Sequence, residues 1–200
     1  MDRRNIPLDE VFDRIDLTTL FRLSWGAHKL HGEEYDRAVA EELLPRFVRM
    51  RNEMRGRQLL TPKVIYGYFP CQSSGNDLIV YDPTSMGDAR GEDGRAILPD
   101  PKTLTPKIRF TFPRQPDREH LCLADYFRSV ESGQVDVVPL QVVTMGSKAS
   151  EAFEQMQKAG DYSDGYYLYG LSVASAEGLA EWTHQLAIRE LGLPGDHGHS

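Results

Sequence analysis

Residues 64–82, VIYGYFPCQSSGNDLIVYD, constrain this 200-residue chain more than any other stretch. Two runs rich in β-branched and aromatic residues, 63–69 and 78–81, read as strands. Between them stand Pro70, Cys71, two serines, Gly75, Asn76 and Asp77. The pattern predicts a β-hairpin with a polar loop of five to seven residues. Gly75 and Asn76 tolerate positive φ, so they are where the backbone would turn.

The strongest helix signal lies at residues 33–55. Val39, Leu43, Phe47, Met50 and Met54 recur at spacings of three and four, with charges between them, and Gly56 is a stop. Ahead of it, Val11, Phe12 and Ile15 fit one face of a short helix. Leu17, Leu20, Phe21 and Leu23 extend an apolar surface to Trp25 and the break at Gly26. Asp16 sits inside that apolar stretch, an unusual place for a carboxylate.

Residues 83–106 are dense in Gly, Pro and Asp and read as a long flexible surface insertion. KIRFTFP then alternates, with Ile108, Phe110 and Phe112 on one face. VDVVPLQVVTMG reads as a buried strand with Pro139 at a bulge or edge. Helices are expected over 150–159 and 173–191, the latter with Ala176, Leu179, Ala180, Thr183, Leu186 and Ala187 on one face. Helices and strands in this order point to an α+β fold with a mostly antiparallel sheet.

The formal net charge is −7, which argues against a binder of nucleic-acid phosphates and fits a cationic ligand or a basic partner. Two cysteines far apart, Cys71 and Cys122, make no disulfide framework and no zinc ribbon. The opening residues carry no apolar signal region, and no run approaches the roughly 20 apolar residues of a membrane span. A cytoplasmic chain with no membrane or nucleic-acid partner is expected. There is no Walker A, GxGxxG, HExxH or GxSxG motif. His28 and His31 alone make no metal site, and no metal is expected. Cys122 has apolar neighbours that disfavour a reactive thiolate, so no catalytic residue is assigned.

In order and spacing, LDEVFDRIDLTTLFRLSWG, YGYFPCQSSGNDLIVYD, FTFPRQ, LCLADYF, VVTMG and AEGLAEWTH resemble the C-terminal activation domain of cobalamin-dependent methionine synthase. The resemblance implies one α+β domain over residues 1–200, a twisted, mostly antiparallel sheet flanked by helices. It implies binding of S-adenosylmethionine, the methyl donor for reactivating cobalamin oxidised to cob(II)alamin. The cobalamin is presented by another domain, and an electron donor resembling flavodoxin supplies the reduction. Methyltransferase activity then belongs to the whole enzyme, as part of methionine biosynthesis.

By the same resemblance Asp16, in IDLT, holds the amino end of S-adenosylmethionine; the other reading of Asp16 is a helix cap, with Thr18 or Thr19 completing the turn. Glu177 matches a ligand-site glutamate, and Glu181, one turn on, is the alternative if the register slips. Lys29 matches a lysine that pairs as the domain docks and undocks. Gly75 and Asn76 belong to a loop near the face that meets the cobalamin-binding domain. The family also carries an arginine segment ending in GYPACP after its last helix, which clamps the ligand. No such segment lies before Ser200, so the chain reads as truncated ahead of the clamp. The alternative is a non-catalytic docking module that contacts a corrinoid protein or its reductase and has lost the ligand.

Overall fold

The structure, a computed structural model, describes residues 2–3, 6–86 and 99–194. Among these, the sheet has five strands: β1 (Asp2–Arg3), β2 (Lys63–Ser74), β3 (Asp77–Tyr81), β4 (Pro106–Thr111) and β5 (Asp136–Thr144). They run in the order β1-β2-β3-β4, with β5 also pairing to β2. The pairs β1–β2, β2–β3 and β3–β4 are antiparallel. The helices are α1 (Leu8–Phe12), α2 (Leu17–Thr19), α3 (Gly32–Ala38), α4 (Leu44–Gly56), α5 (Lys148–Ala159) and α6 (Tyr162–Glu190). The α+β class is as expected. By contacts the chain divides into two compact units, Met1–Tyr66 with Gln141–Ser200, and Gly67–Leu140.

In the first unit, α3 and α4 form one helical run through a π-helical turn at Val39–Leu43. Pro45, at the start of α4, has no N–H to return to an earlier carbonyl, and the wider turn falls just before it. Of the expected apolar stripe, Leu43, Phe47, Met50 and Met54 are buried and Val39 is half-buried. The run ends at Gly56, as the sequence predicts.

Helix α6 is eleven residues longer at its start than the sequence predicts. Its first half, YSDGYYLYGLS, carries tyrosines and two glycines, residues that argue against a helix interior. Packing overrides that preference. A Cβ at Gly165 would touch Phe153 at 3.3 Å, and one at Gly170 would touch Trp25 at 3.2 Å. Arg46 spans the same region, its guanidinium 4.1 Å from the Tyr167 ring centre and 3.2 Å from Asp164. Helix α5 ends on Gly160 at φ +83°, the left-handed cap that glycine adopts most readily.

In the second unit the predicted polar loop is strand. β2 continues through Pro70, Cys71, Gln72, Ser73 and Ser74, in register with β3 from Cys71↔Val80 to Ser74↔Asp77. Only Gly75 and Asn76 turn the chain. Gly75 takes φ +60°, as a tight hairpin requires, whereas Asn76 does not reach positive φ. The polar residues are buried because each finds a partner. Gln72 Nε2 donates to the Gln134 carbonyl at 2.9 Å, and its Oε1 accepts from the Tyr81 hydroxyl at 2.9 Å. The Ser73 hydroxyl donates to the Phe127 carbonyl at 3.0 Å. Hydrogen bonding removes the penalty that makes this stretch look like loop.

β3 is buried on both faces. Leu78 and Val80 join Cys71 and Val138 in one cluster, and Ile79 and Tyr81 join Leu104 and Val135 in another. Burial in the first cluster, with Asp136 nearby, pushes the Cys71 thiol up to about 12. β5 departs from its reading as a buried strand. Its side chains are mostly half-buried or exposed, Val142 at 72%. Of the expected insertion, Pro83–Met86 and Pro101–Thr103 are 3₁₀ turns, and Leu104 is core. Residues 87–98 of that stretch lie outside the described residues, as do residues 195–200.

Candidate functional site

Asp16 is the N-cap of α2. Its Oδ1 accepts from the Thr19 backbone N–H at 3.0 Å and its Oδ2 from the Thr19 hydroxyl at 2.7 Å. The Thr19 N–H and then its hydroxyl hold the Asp16 carboxyl below its usual range. The apolar surroundings in sequence predict a partly buried carboxylate. Asp16 is exposed instead, and its place among apolar residues follows from capping a helix whose next turn, Leu20 and Phe21, is core. A carboxylate accepts about four hydrogen bonds, so capping leaves capacity for a further donor.

The chain from α1 to Trp25 lies along α6. At one end, Gly178 lets the α1 backbone approach: a Cβ there would stand 2.6 Å from the Val11 carbonyl oxygen and 3.3 Å from Ile15 Cγ1. At the other end, Gly170 faces Trp25 and Ser24. Polar bonds pin the seam. The Trp182 indole donates to Glu10 Oε2 at 2.8 Å, and Trp25 donates to the Tyr167 carbonyl at 3.1 Å. Arg14 Nε donates to Gln185 Oε1 at 2.9 Å, while Gln185 Nε2 donates to Glu181 at 3.0 Å.

Asp16 and Glu177 are the chain neighbours of Ile15 and Gly178, which touch. Asp16 and Glu177 thus each stand one residue from that close approach, on the two elements that form the seam. Both are exposed, as is Glu181 one turn further along α6. Glu181 is engaged by Gln185, so of the two glutamates Glu177 is the less committed. His184, on the same helix, is exposed. Sequence reading misses Gly178, Glu10, Arg14 and Trp182. The available signal is a glycine inside a strong helical pattern, which usually marks close packing.

The three expected docking residues fall in different places. Lys29 ends a 3₁₀ turn, Ala27–Lys29, and is exposed. Gly75 and Asn76 form the exposed hairpin tip of the second unit. Asn76 is held there: its Oδ1 accepts from Arg114 Nε at 3.0 Å and its carbonyl from the Phe112 N–H at 2.9 Å. Arg114 also forks onto Asp125, at 2.6 and 2.7 Å. By sequence Asp125 could cap the segment after it. It accepts from the Cys122 N–H at 2.9 Å, capping its own turn instead.

Chemically, the seam offers exposed carboxylates on a helix-backed surface, suited to holding a cation. Among the described residues, no three His, Cys, Asp or Glu side chains are grouped as a metal site. No helix among them is long and apolar enough to cross a membrane.

This is an α+β domain, an antiparallel sheet with helices, bearing an acidic seam between its N-terminal segment and its last helix. Residues 7–192 match the model of the family described as vitamin B12 dependent methionine synthase, activation domain, and the chain belongs to that family. It is 34% identical over 191 residues to methionine synthase of Mycobacterium tuberculosis (strain ATCC 25618 / H37Rv), covering 91% of this chain and 15% of that protein. It is 32% identical over 190 residues to methionine synthase of Mycobacterium leprae (strain TN), covering 91% of this chain and 14% of that one. The chain thus spans about a seventh of these relatives. Its fold is similar to the crystal structure of the MetH reactivation domain bound to AdoHcy, with TM-score 0.66 and 20% identity, over 94% of this chain and 55% of that one.

Proposed function

We propose that this chain binds S-adenosylmethionine and serves the reductive remethylation of cob(II)alamin in a cobalamin-dependent methionine synthase. The observation that carries the reading is the close approach of Ile15 and Gly178, the chain neighbours of Asp16 and Glu177. The ligand bears an ammonium and a sulfonium, and carboxylates are their natural partners. Family membership and the AdoHcy bound by the structural neighbour support the same ligand. The residues fit it: Asp16 and Glu177 are both exposed, and Asp16 is held ionised.

A methyl sulfonium is already activated, so the protein's task is orientation and needs no general base. The methyl acceptor is cobalamin carried by another domain, reduced by a flavodoxin-like donor. Lys29 and the hairpin tip, Gly75 and Asn76, are the exposed features proposed to meet that domain. The setting is cytoplasmic.

Calorimetric titration of S-adenosylmethionine into the wild-type chain and Asp16→Asn tests the reading. Asparagine caps a helix as well as aspartate, so the variant should fold. Losing a charged partner, about 1.5–3 kcal/mol, should weaken binding roughly tenfold to a hundredfold. Equal affinities would remove Asp16 from the site. No heat from a wild-type chain that melts cooperatively would refute ligand binding and leave a docking module.

A further inference from the structure

We propose that Thr19 is a positioning residue for the cation site: its hydroxyl fixes the plane of the Asp16 carboxylate and so presents that group to the ligand's ammonium. This role rests on the reading above, in which Asp16 holds the cationic end of S-adenosylmethionine.

The turn that carries Asp16 explains how one residue can do this. Asp16 Oδ1 takes the Thr19 backbone N–H at 3.0 Å, the ordinary N-cap bond of α2. That bond alone leaves the last torsion loose, because a carboxylate turns over a broad range about its outer bond. The Thr19 hydroxyl, on Oδ2 at 2.7 Å, removes this freedom. Hydroxyls within helices often turn back to a backbone carbonyl instead. In α6 they do: Ser175 donates to the Leu171 carbonyl at 2.7 Å and Thr183 to that of Leu179 at 2.8 Å. Thr19 is half-buried and gives its hydroxyl to a side chain. Thr18, exposed in the same turn, serves Asp16 through its backbone N–H.

Two other carboxylates of this chain show what such an arrangement does. Asp82 Oδ1 accepts the Thr84 N–H at 2.9 Å and the Thr84 hydroxyl at 2.7 Å, and its Oδ2 takes the Lys107 ammonium at 2.9 Å. Asp77 Oδ1 accepts the Thr111 hydroxyl at 2.6 Å, and its Oδ2 takes Arg109 at 2.7 Å. In both, a threonine hydroxyl holds the carboxylate and a cation uses the capacity that remains. Asp16 has the threonine, and among the described residues no side-chain cation is paired with it. A carboxylate accepts about four hydrogen bonds, so Asp16 keeps about two places open in a fixed plane. The Asp82 pair identifies a fitting occupant, an ammonium group.

The test is calorimetric titration of S-adenosylmethionine into wild type and a set of variants. Thr19→Val keeps the branched shape and the backbone N–H but loses the hydroxyl; Thr19→Ala is the second such variant, should the first fail to fold. Fixing one side-chain torsion in advance is worth roughly twofold to tenfold in affinity, so both should bind that much more weakly. Thr19→Ser, which keeps the hydroxyl, should restore the affinity, and Thr18→Val should leave it as in wild type. Placed in Asp16→Asn, Thr19→Val should cost less than about twofold, because its effect runs through the carboxylate. A ligand-free readout accompanies these: in carbon-detected NMR the Asp16 carboxyl midpoint should rise when the hydroxyl is lost. Equal affinities in wild type, Thr19→Val and Thr19→Ala would overturn the role of Thr19 and leave Asp16 as a ligand residue. Tighter binding without the hydroxyl would overturn it too, since Thr19 would then be competing with the ligand. An equal loss in the Asp16→Asn background would mean that Thr19 acts by another route. No binding by wild type would remove Thr19's role together with the reading on which it rests.

Discussion

Gly178→Ala tests the close approach on which the seam depends. In an ordinary helix the change is favourable by about 1 kcal/mol, because alanine has less backbone freedom to lose. Here the new methyl would stand 2.6 Å from the Val11 carbonyl oxygen. Carbon and carbonyl oxygen normally meet no closer than roughly 3.3 Å, so α1 must retreat by about 0.7 Å. The obstacle is backbone, with Ile15 Cγ1 at 3.3 Å beside it, and no flexible side chain can give way. Overpacking of this kind costs about 1–3 kcal/mol, at the upper end where backbone must move. Against the propensity gain, a net loss of about 1–2 kcal/mol remains. For a chain of this size that lowers Tm by about 2–8 °C. Gly56→Ala is the control, since nothing lies within 4 Å of its missing Cβ. Thermal melts monitored by circular dichroism read both. If Gly178→Ala melted at or above wild type while Gly56→Ala behaved as a neutral helix change, the seam would not be as tight as described. Retreat of α1 also parts Ile15 from Gly178, so S-adenosylmethionine affinity should fall with stability.

Two further perturbations concern bonds in the second unit. Tyr81→Phe leaves Gln72 Oε1 buried without its donor and should cost about 1–3 kcal/mol in urea unfolding; a loss under about 0.5 kcal/mol would mean the amide finds another partner. Asp82 is held at about 2, first by Lys107 and then by Thr84. A lowered folded value means that its contribution to stability is full above the ordinary carboxyl value of 3.8 and fades as pH falls through about 2. Carbon-detected NMR titration of the side chain should place its midpoint near 2, and Lys107→Ala should raise it. A wild-type midpoint near 3.8 would discard the pair.

What sequence reading recovers and what it misses divide along a physical line. The helix at 33–55 is legible because an apolar stripe at spacings of three and four has few other uses, and its buried members are the ones the pattern selects. The tail of β2 is not legible. Gln72 and Ser73 have the composition of a loop, and their burial depends on Gln134, Phe127 and Tyr81, some distant in the chain. β5 misleads in the other direction. A run of valines reads as core, but half of a strand's side chains face away from whatever it covers, and Val142 is one of them.

The site obeys the same division. Asp16 stands out because a carboxylate in an apolar stretch demands a reason, yet the immediate reason is local: it caps α2 through Thr19. A helix cap and a ligand contact need the same group, an exposed, ionised oxygen with lone pairs to spare, so sequence cannot separate them. What separates them is the company Asp16 keeps, and that is set by glycines that carry no chemistry. Gly178 and Gly170 weaken α6 as an isolated helix, and each removes a Cβ that would meet the N-terminal segment at 3.2 Å or closer. Helix propensity is given up at those two points so that the segment from α1 to Trp25 can lie along α6, with Ile15 against Gly178 at one end and Ser24 against Gly170 at the other. In this chain the residues proposed to hold the ligand and those that set the geometry of the seam are different residues, and only the first kind can be recognised before the fold is known.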